Sequence, residues 1–568
     1  MNNNGHAPEP SVGHDAKKLT AFVRCLFLIA LLPAVWMESL SCCNAQTALD
    51  TYVAAPDTTY GFTPVATING PGYTGYHIDL TSLTWRDPNE VTPNLWQHKM
   101  TITQPDTVLS SNTAMLFIDG GDNPGNFKLL PAEAVGSGAT IVHLSTVPNQ
   151  PLQFAGEGFT RQEDEIIAKT LANFLDGGDS EWPLLLPMVK SAVRAMDATQ
   201  THMANKGVTI DHFVVFGGSK RGWTAWLTAA VDDRVSALAA GVTDVLNMDE
   251  SMAHHRRVYE GVTENIIGGY AQSVHDYVDE NIFDRFYTPL GQDLVSIVDP
   301  YEYRDRLDMP KYLVNSTGDQ FFVPDSSKFY FDDLIGPKYL RYIPNTDHAL
   351  STDASIDILE FYGAVAQGVA LPDFSWTVSE GGTQITVSAV DAPTGVQLWQ
   401  ATNTERRDFR IETFGANWSA SALVDQGGGQ YVANVTVPAT GATAFMVELE
   451  YLVNGSPIKF TTEVSVVQEP DADFDQDDDA DGGDFLSWQR NDGITNGTLA
   501  QGDANVDRLV DADDLAAWKA QFGVVSTLSA ANVPEPSAWV SLTVGLHFVS
   551  CLRFRLPHTE NPALKTQC

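Results

Sequence analysis

Between about residues 70 and 365, short apolar runs alternate with longer segments of helical period. Runs such as AMLFI (114–118) and FVVF (213–216) are almost uninterrupted, as strands buried on both faces are. The pattern predicts strands at 76–83, 99–104, 114–119, 140–144, 212–216, 237–242, 311–316 and 339–343. Apolar positions three and four apart predict helices at 163–174, 187–202 and 224–231, with 353–369 as a terminal packing helix. Strand and helix in alternation indicate an α/β domain over 46–370, its sheet covered by helices on both faces. Residues 244–308 lie between two strands and are too many for a plain connection. They are expected to form a helical cap over the C-terminal edge of the sheet.

From 372 the pattern shortens to five alternating runs (384–390, 395–401, 431–437, 444–452, 458–464) separated by turn residues. Such spacing predicts a small antiparallel β-sandwich over 371–468. Acidic residues then crowd 471–523, where the only bases are Arg490, Arg508 and Lys519, and 524–532 reads as a linker.

Composition narrows the function classes. The chain has 568 residues, 43% hydrophobic, with 33 Lys+Arg against 72 Asp+Glu, a net charge of −39. That balance argues against nucleic acid and against docking on anionic lipid. All five cysteines (25, 42, 43, 551, 568) fall near the two ends, so 46–550 holds neither a disulfide nor a Cys-ligated zinc. Lys17, Lys18 and Arg24 precede an apolar run, and Cys43-Asn44-Ala45 ends it, the pattern of a signal peptide over 1–45. At the other end, Val533-Pro534-Glu535-Pro536, an apolar stretch and Arg553 and Arg555 resemble the PEP-CTERM sorting signal within 526–568. The expectation is a secreted or surface-attached protein.

The candidate chemistry sits where FVVF ends, at Gly217-Gly218-Ser219-Lys220-Arg221-Gly222. A serine between a buried strand and a helix, with glycines beside it, suits a nucleophile elbow. The spacing is G-x-S-x-x-G, with Arg221 where the usual second glycine stands. Strand 311–316 leads into Thr317-Gly318-Asp319, and strand 339–343 leads towards Asp347-His348. Serine, acid and histidine thus follow in the α/β-hydrolase order. Asp119-Gly120-Gly121, after 114–118, is a glycine loop able to donate an oxyanion-hole N–H. Asp244, also at a strand end, remains an alternative acid, and Asp347 is expected to shape the histidine loop. Lys220 and Arg221 either hold an acidic substrate or pair with Glu or Asp to steady the elbow. His254 and His255 are expected to contact substrate or pack the cap, since adjacent helical histidines diverge.

GGSKRGWTAWLTAAVDDRV, DVLNMDESMAHH, STGDQFFVPDSSKFYFDDLIG and RYIPNTDHAL resemble the PhoPQ-activated pathogenicity-related proteins, and the likeness runs from about 48 to 452. It implies an α/β-hydrolase-like fold with Ser219, Asp319 and His348 as triad. With Lys220 and Gly121 N–H groups as the oxyanion hole, the expectation is a serine hydrolase for an ester, amide or polysaccharide-linked substrate. The rival expectation is a non-catalytic surface or signalling protein on the same fold.

In the acidic region Asp473, Asp475, Asp477, Asp479, Asp481 and Asp484 follow EF-hand spacing, and Asp503, Asn505, Asp507, Leu509, Asp511 and Asp514 repeat it thirty residues on. Oxygen donors at this density suit Ca²⁺. The duplicate, over 469–525, resembles a dockerin type I repeat, which implies a cohesin-like or cell-surface partner. Asp478 and Arg508 stand at the sixth position, where EF-hands carry glycine.

Overall fold

The computed structural model describes residues 46–110, 112–259, 262–349, 351–379, 381–475, 480–495, 497–505 and 507–523. The signal peptide and sorting signal expected at the two ends lie outside these residues. The chain divides into two compact units between Glu469 and Pro470.

In the first unit, β1 (Gly61–Gly70), β2 (Tyr73–Thr84) and β3 (Leu95–Pro105) form an antiparallel meander. Six strands follow: β4 (Thr113–Ile118), β5 (Thr140–Leu144), β6 (His212–Gly218), β7 (Val235–Gly241), β8 (Lys311–Ser316) and β9 (Lys338–Ile343). They lie parallel in the order β5-β4-β6-β7-β8-β9, and β3 closes antiparallel on β5. The predicted strands and helices are all present. The meander's first strand was not expected, because GFTPVATING carries a proline and mostly half-buried or exposed positions.

The uninterrupted apolar runs serve two cores at once. Leu116, Val215, Leu238 and Leu313 face one core with helices α1 (Glu163–Gly177), α2 (Leu185–Ala204) and α3 (Lys220–Val231). Met115, Val214, Ala239 and Val314 face the other, where α6 (Thr352–Gln367) packs. Period-two alternation thus buries both faces of the sheet. Between β7 and β8 lies the cap, whose longest helices are α4 (Met248–Val258) and α5 (Pro289–Val298).

Strand order fixes where a ligand can sit. From β4 the chain goes to β5 on one side, and β6 then returns to the other side of β4. The loops leaving β4 and β6 therefore part at a topological switch point, the crevice where open α/β sheets bind ligands. Those loops are 119–123 and 217–222.

The strands expected at 371–468 form, but they do not make a module of their own. β10 (Phe374–Val378), β11 (Gln384–Ala389) and β14 (Gln430–Asn434) make a three-stranded sheet. β12 (Gly395–Asn403), β13 (Ser419–Ala422), β15 (Ala442–Val453) and β16 (Ser456–Thr461) instead continue the main sheet beyond β9, with β17 (Ser465–Gln468) on β15. The junction is one antiparallel pair, Leu340 with Thr461, reinforced by buried Arg341, which bonds Glu448 at 2.6 Å and Asp357 at 3.0 Å. Ile385, Val387 and Ala433 share a core with Phe445, Val447 and the main sheet. Alternation reveals which face of a strand is apolar but not which strand it pairs with.

In the second unit α7 (Gly482–Asn491) and α8 (Ala512–Gln521) pack around Phe474, Trp488, Val510 and Ala517. The thirty-residue repeat is reproduced in its bonds. Trp488 Nε1 donates to the Asp511 carbonyl and Trp518 Nε1 to the Asp481 carbonyl, both at 2.7 Å. Likewise Gly493 N–H meets Val510 O at 2.8 Å and Gly523 N–H meets Ala480 O at 3.1 Å.

Candidate functional site

Ser219 joins β6 to α3 at φ 55°, ψ −127°. A non-glycine residue at positive φ is strained, and the surroundings must hold it there. Its N–H donates to Gly241 O at 2.8 Å, and its carbonyl accepts from Thr243 Oγ1 and Trp223 N–H, each at 2.9 Å. A side chain at 217 would strike the Arg221 backbone, and one at 222 would strike Thr243 Oγ1, so both positions require glycine. Arg221 fits between them because its guanidinium turns away. Nη1 and Nη2 bond the Glu163 carboxylate at 2.6 and 2.8 Å, and Nε donates to Val147 O at 2.5 Å.

The three residues expected to work together do meet. His348 Nε2 lies 2.9 Å from Ser219 Oγ, and His348 Nδ1 lies 2.9 Å from both Asp319 carboxylate oxygens. Asp319 is 3% exposed, and its Oδ1 also accepts from Phe321 N–H at 2.7 Å and Phe322 N–H at 3.3 Å. The Phe321 ring stands 4.1 Å from the imidazole, and Gln320 Oε1 accepts the His348 N–H at 2.9 Å. A buried carboxylate fixed by two amides can orient the ring and stabilise its charged form. Lys220 N–H opens α3 beside Ser219, where the helix's positive end favours developing negative charge. Gly121, at φ 104°, follows β4. Its neighbour Gly120 packs against Arg221, so the glycine loop and the elbow adjoin.

Asp244 is engaged elsewhere. Its oxygens accept from Tyr330 Oη and Tyr342 Oη, each at 2.6 Å. Burial raises its pKa to about 7 although both tyrosines favour the charged form. Asp347 accepts from Ala349 N–H at 2.9 Å and shapes its loop. Of the two readings of Lys220 and Arg221, the ion pair is the one present. Lys220 Nζ lies 2.9 Å from Asp164 and 3.0 Å from Glu163. Burial opposes ionisation of Glu163, but Arg221 and Lys220 outweigh it and hold the pKa down at about 2. His254 bonds Asp325 at 3.1 Å, and His255 packs against Tyr259 and Tyr270. Both histidines are buried, which lowers their pKa to about 3.

Beside Ser219 opens a cavity lined by α1, α3, the cap and Phe321 and Phe322. Sequence reasoning missed it, along with Glu163 and Asp164. The signal available was the acidic first turn of QEDE, which faces the basic elbow.

In the acidic unit Asp473, Asp475 and Asp484 bring carboxylate oxygens within 4.8 Å of one another. Asp477 and Asp479 lie outside the described residues. Asp484 is fully buried and accepts the N–H groups of Phe474 (2.6 Å), Asp475 (3.1 Å) and Asp481 (2.7 Å). Asp514 repeats this with Ala504 (2.8 Å), Asn505 (3.4 Å) and Asp511 (2.8 Å), and burial raises its pKa to about 6. Asp481 and Asp511 cap α7 and α8. Asp503 accepts from Asp507 and Arg508 N–H groups, Asn505 Nδ2 donates to Asp507, and Leu509 bridges to Thr495.

The chain is similar to several known proteins. Autocrine proliferation repressor protein A of Dictyostelium discoideum is 35% identical over 459 residues, 74% of this chain and 90% of that protein. Among solved structures, acetyl xylan esterase 1 from Thermoanaerobacterium sp. JW/SL YS485 aligns at TM-score 0.38 and 16% identity, over 56% of this chain and 91% of its own. Pyrococcus horikoshii acylaminoacyl peptidase aligns at 0.32 and 12%, over 55% and 50%. The family model of the PhoPQ-activated pathogenicity-related protein matches residues 49–410, a span that takes in the elbow, the cap and both partners of Ser219. The chain belongs to that family.

Proposed function

We propose that the chain is an exported serine hydrolase of the α/β-hydrolase type that cleaves an ester or amide. One observation carries this reading: the Ser219–His348–Asp319 hydrogen-bond chain, with Ser219 held at positive φ on a strand–helix turn. Ser219 Oγ attacks the acyl carbonyl while His348 Nε2 takes its proton, and Asp319 stabilises the imidazolium. The Lys220 and Gly121 N–H groups receive the oxyanion. As the tetrahedral adduct collapses, His348 returns the proton to the leaving group. Water, deprotonated by the same ring, then frees the acyl group and restores the serine. Ser219→Ala should lower kcat on an activated ester by roughly 10⁶-fold, as in proteases that lose this serine. A folded variant with unchanged turnover would remove the proposal.

A non-catalytic signalling role is the second reading, favoured by the name of the Dictyostelium relative, a proliferation repressor. For the acidic unit the proposal is a dockerin-like Ca²⁺ module. Asp473, Asp475, Asp481 and Asp484 would hold one ion, with Asp477 and Asp479, and Asp503, Asn505, Asp507, the Leu509 carbonyl, Asp511 and Asp514 the other. Such a module would dock a cohesin-like or cell-surface partner, in keeping with the export and sorting signals proposed for 1–45 and 526–568.

A further inference from the structure

The cavity beside Ser219 limits what the enzyme can accept. Its walls are apolar: Leu171 from α1, Trp223 from α3, and Met252, Phe283 and Phe286 from the cap. Asp164 and Lys220 are the charged side chains that reach it, and they neutralise one another at 2.9 Å. Tyr277 Oη, a third polar group of the wall, donates to Asp164 at 2.8 Å. A charged or many-hydroxyl group placed here would lose its hydration and meet donors and acceptors already satisfied by each other. An apolar group would gain by leaving water.

Size and position add to this. The cavity, partly open to solvent, has a volume of about 60 Å³, whereas an apolar cavity of about 150 Å³ is what admits benzene. A chain of a few carbons fits, and a ring does not. The cavity borders Ser219, Thr243 and Lys220, whose N–H is one of the two donors proposed for the oxyanion. Phe321 and Phe322, which pack on the His348 ring, also line it, but the ring itself does not. The group received there is accordingly assigned to the acyl side, next to Ser219 and Lys220, and not to the leaving group that His348 would protonate.

We propose that the substrate is an ester or amide of a short, uncharged aliphatic acyl group of about three to five carbons, held under the cap. This rests on the serine-hydrolase reading above and supplies its acyl specificity. The test is a series of p-nitrophenyl esters (acetate, propanoate, butanoate, octanoate, benzoate, hemisuccinate) on the full chain, with fluorophosphonate labelling of the same preparation. kcat/KM should rise about four-fold per methylene from acetate to butanoate. It should then fall for octanoate and benzoate, and be roughly 10²-fold lower for the hemisuccinate than for butanoate. Met252→Ala, which widens the wall, should move the optimum towards longer chains. A flat profile, or one led by the hemisuccinate or benzoate, on protein whose Ser219 still takes the probe would overturn the acyl-group proposal and leave the hydrolase reading standing. Folded protein whose Ser219 takes no probe would overturn both.

Discussion

At the scale of single residues, two buried aspartates at strand ends have opposite assignments. Asp319 meets His348 Nδ1 with both oxygens, whereas Asp244 is closed in by Tyr330 and Tyr342. Asp319→Asn should lower kcat on an activated ester by about 10⁴-fold through loss of the correct tautomer, while Asp244→Asn keeps most of the turnover. Steady-state kinetics on both folded variants check this ranking, and the reverse order would move the acid to Asp244. Asp244 has a second, thermodynamic signature. Its folded pKa of about 7 lies above its usual value of 3.8, so the folded state binds more protons between those values. Its stabilising contribution is whole below about pH 4 and is lost as pH rises through about 7. Buried His254 and His255, with pKa values lowered to about 3, act in the opposite sense below pH 6.5. The readout is therefore the difference between Asp244→Asn and wild type in urea unfolding. Relative to wild type, the variant should gain stability from pH 4 to pH 7. A difference that does not change with pH would contradict the assignment.

At the scale of elements, the elbow is held by charge as well as by glycine. Arg221 ties α3 to Glu163 at the start of α1 and to the Val147 carbonyl, and packs on Gly120. Removing either partner should loosen the two loops that flank the switch point. We expect Arg221→Ala and Glu163→Gln each to lower kcat more than they raise KM. A double-mutant cycle on stability should give a coupling of about 1 kcal/mol, modest because Glu163 is partly in contact with water. Additive effects would mean that the pair does not steady the elbow. This clamp also marks how far the sequence could be read. That Ser219, Asp319 and His348 would come together was legible because each follows a strongly apolar strand in a fixed order. Ion pairing of the elbow was one of two open readings, and the partner stayed unknown because Glu163 lies 58 residues from Arg221. The cavity was invisible for the same reason. Its walls come from α1, α3, the cap and the loop after β8, and no local pattern joins them.

At the scale of the whole molecule, periodicity located the strands of 371–468 but not their allegiance. That allegiance rests on non-local features such as the Leu340–Thr461 pair and the buried Arg341–Glu448 contact. The thirty-residue repeat at the C-terminal end was more transparent. Both copies carry their own caps, and the reciprocal bonds of Trp488 and Trp518 follow from equal spacing. If the loops bind Ca²⁺, adding the ion to a 469–525 fragment should raise its far-UV helicity, since clustered carboxylates otherwise repel one another. Asp473→Ala combined with Asp503→Ala should abolish the response. A fragment indifferent to millimolar Ca²⁺ and to chelator would remove the metal proposal and leave the first unit's chemistry untouched.

The central claim is that Ser219 is a nucleophile activated by His348. Its most direct measurement is covalent labelling of the folded chain with a fluorophosphonate, followed by mass spectrometry of the modified peptide. One adduct per chain on Ser219, lost in His348→Ala, is the predicted result. A folded protein that takes no adduct, or takes it on another serine, would contradict the account.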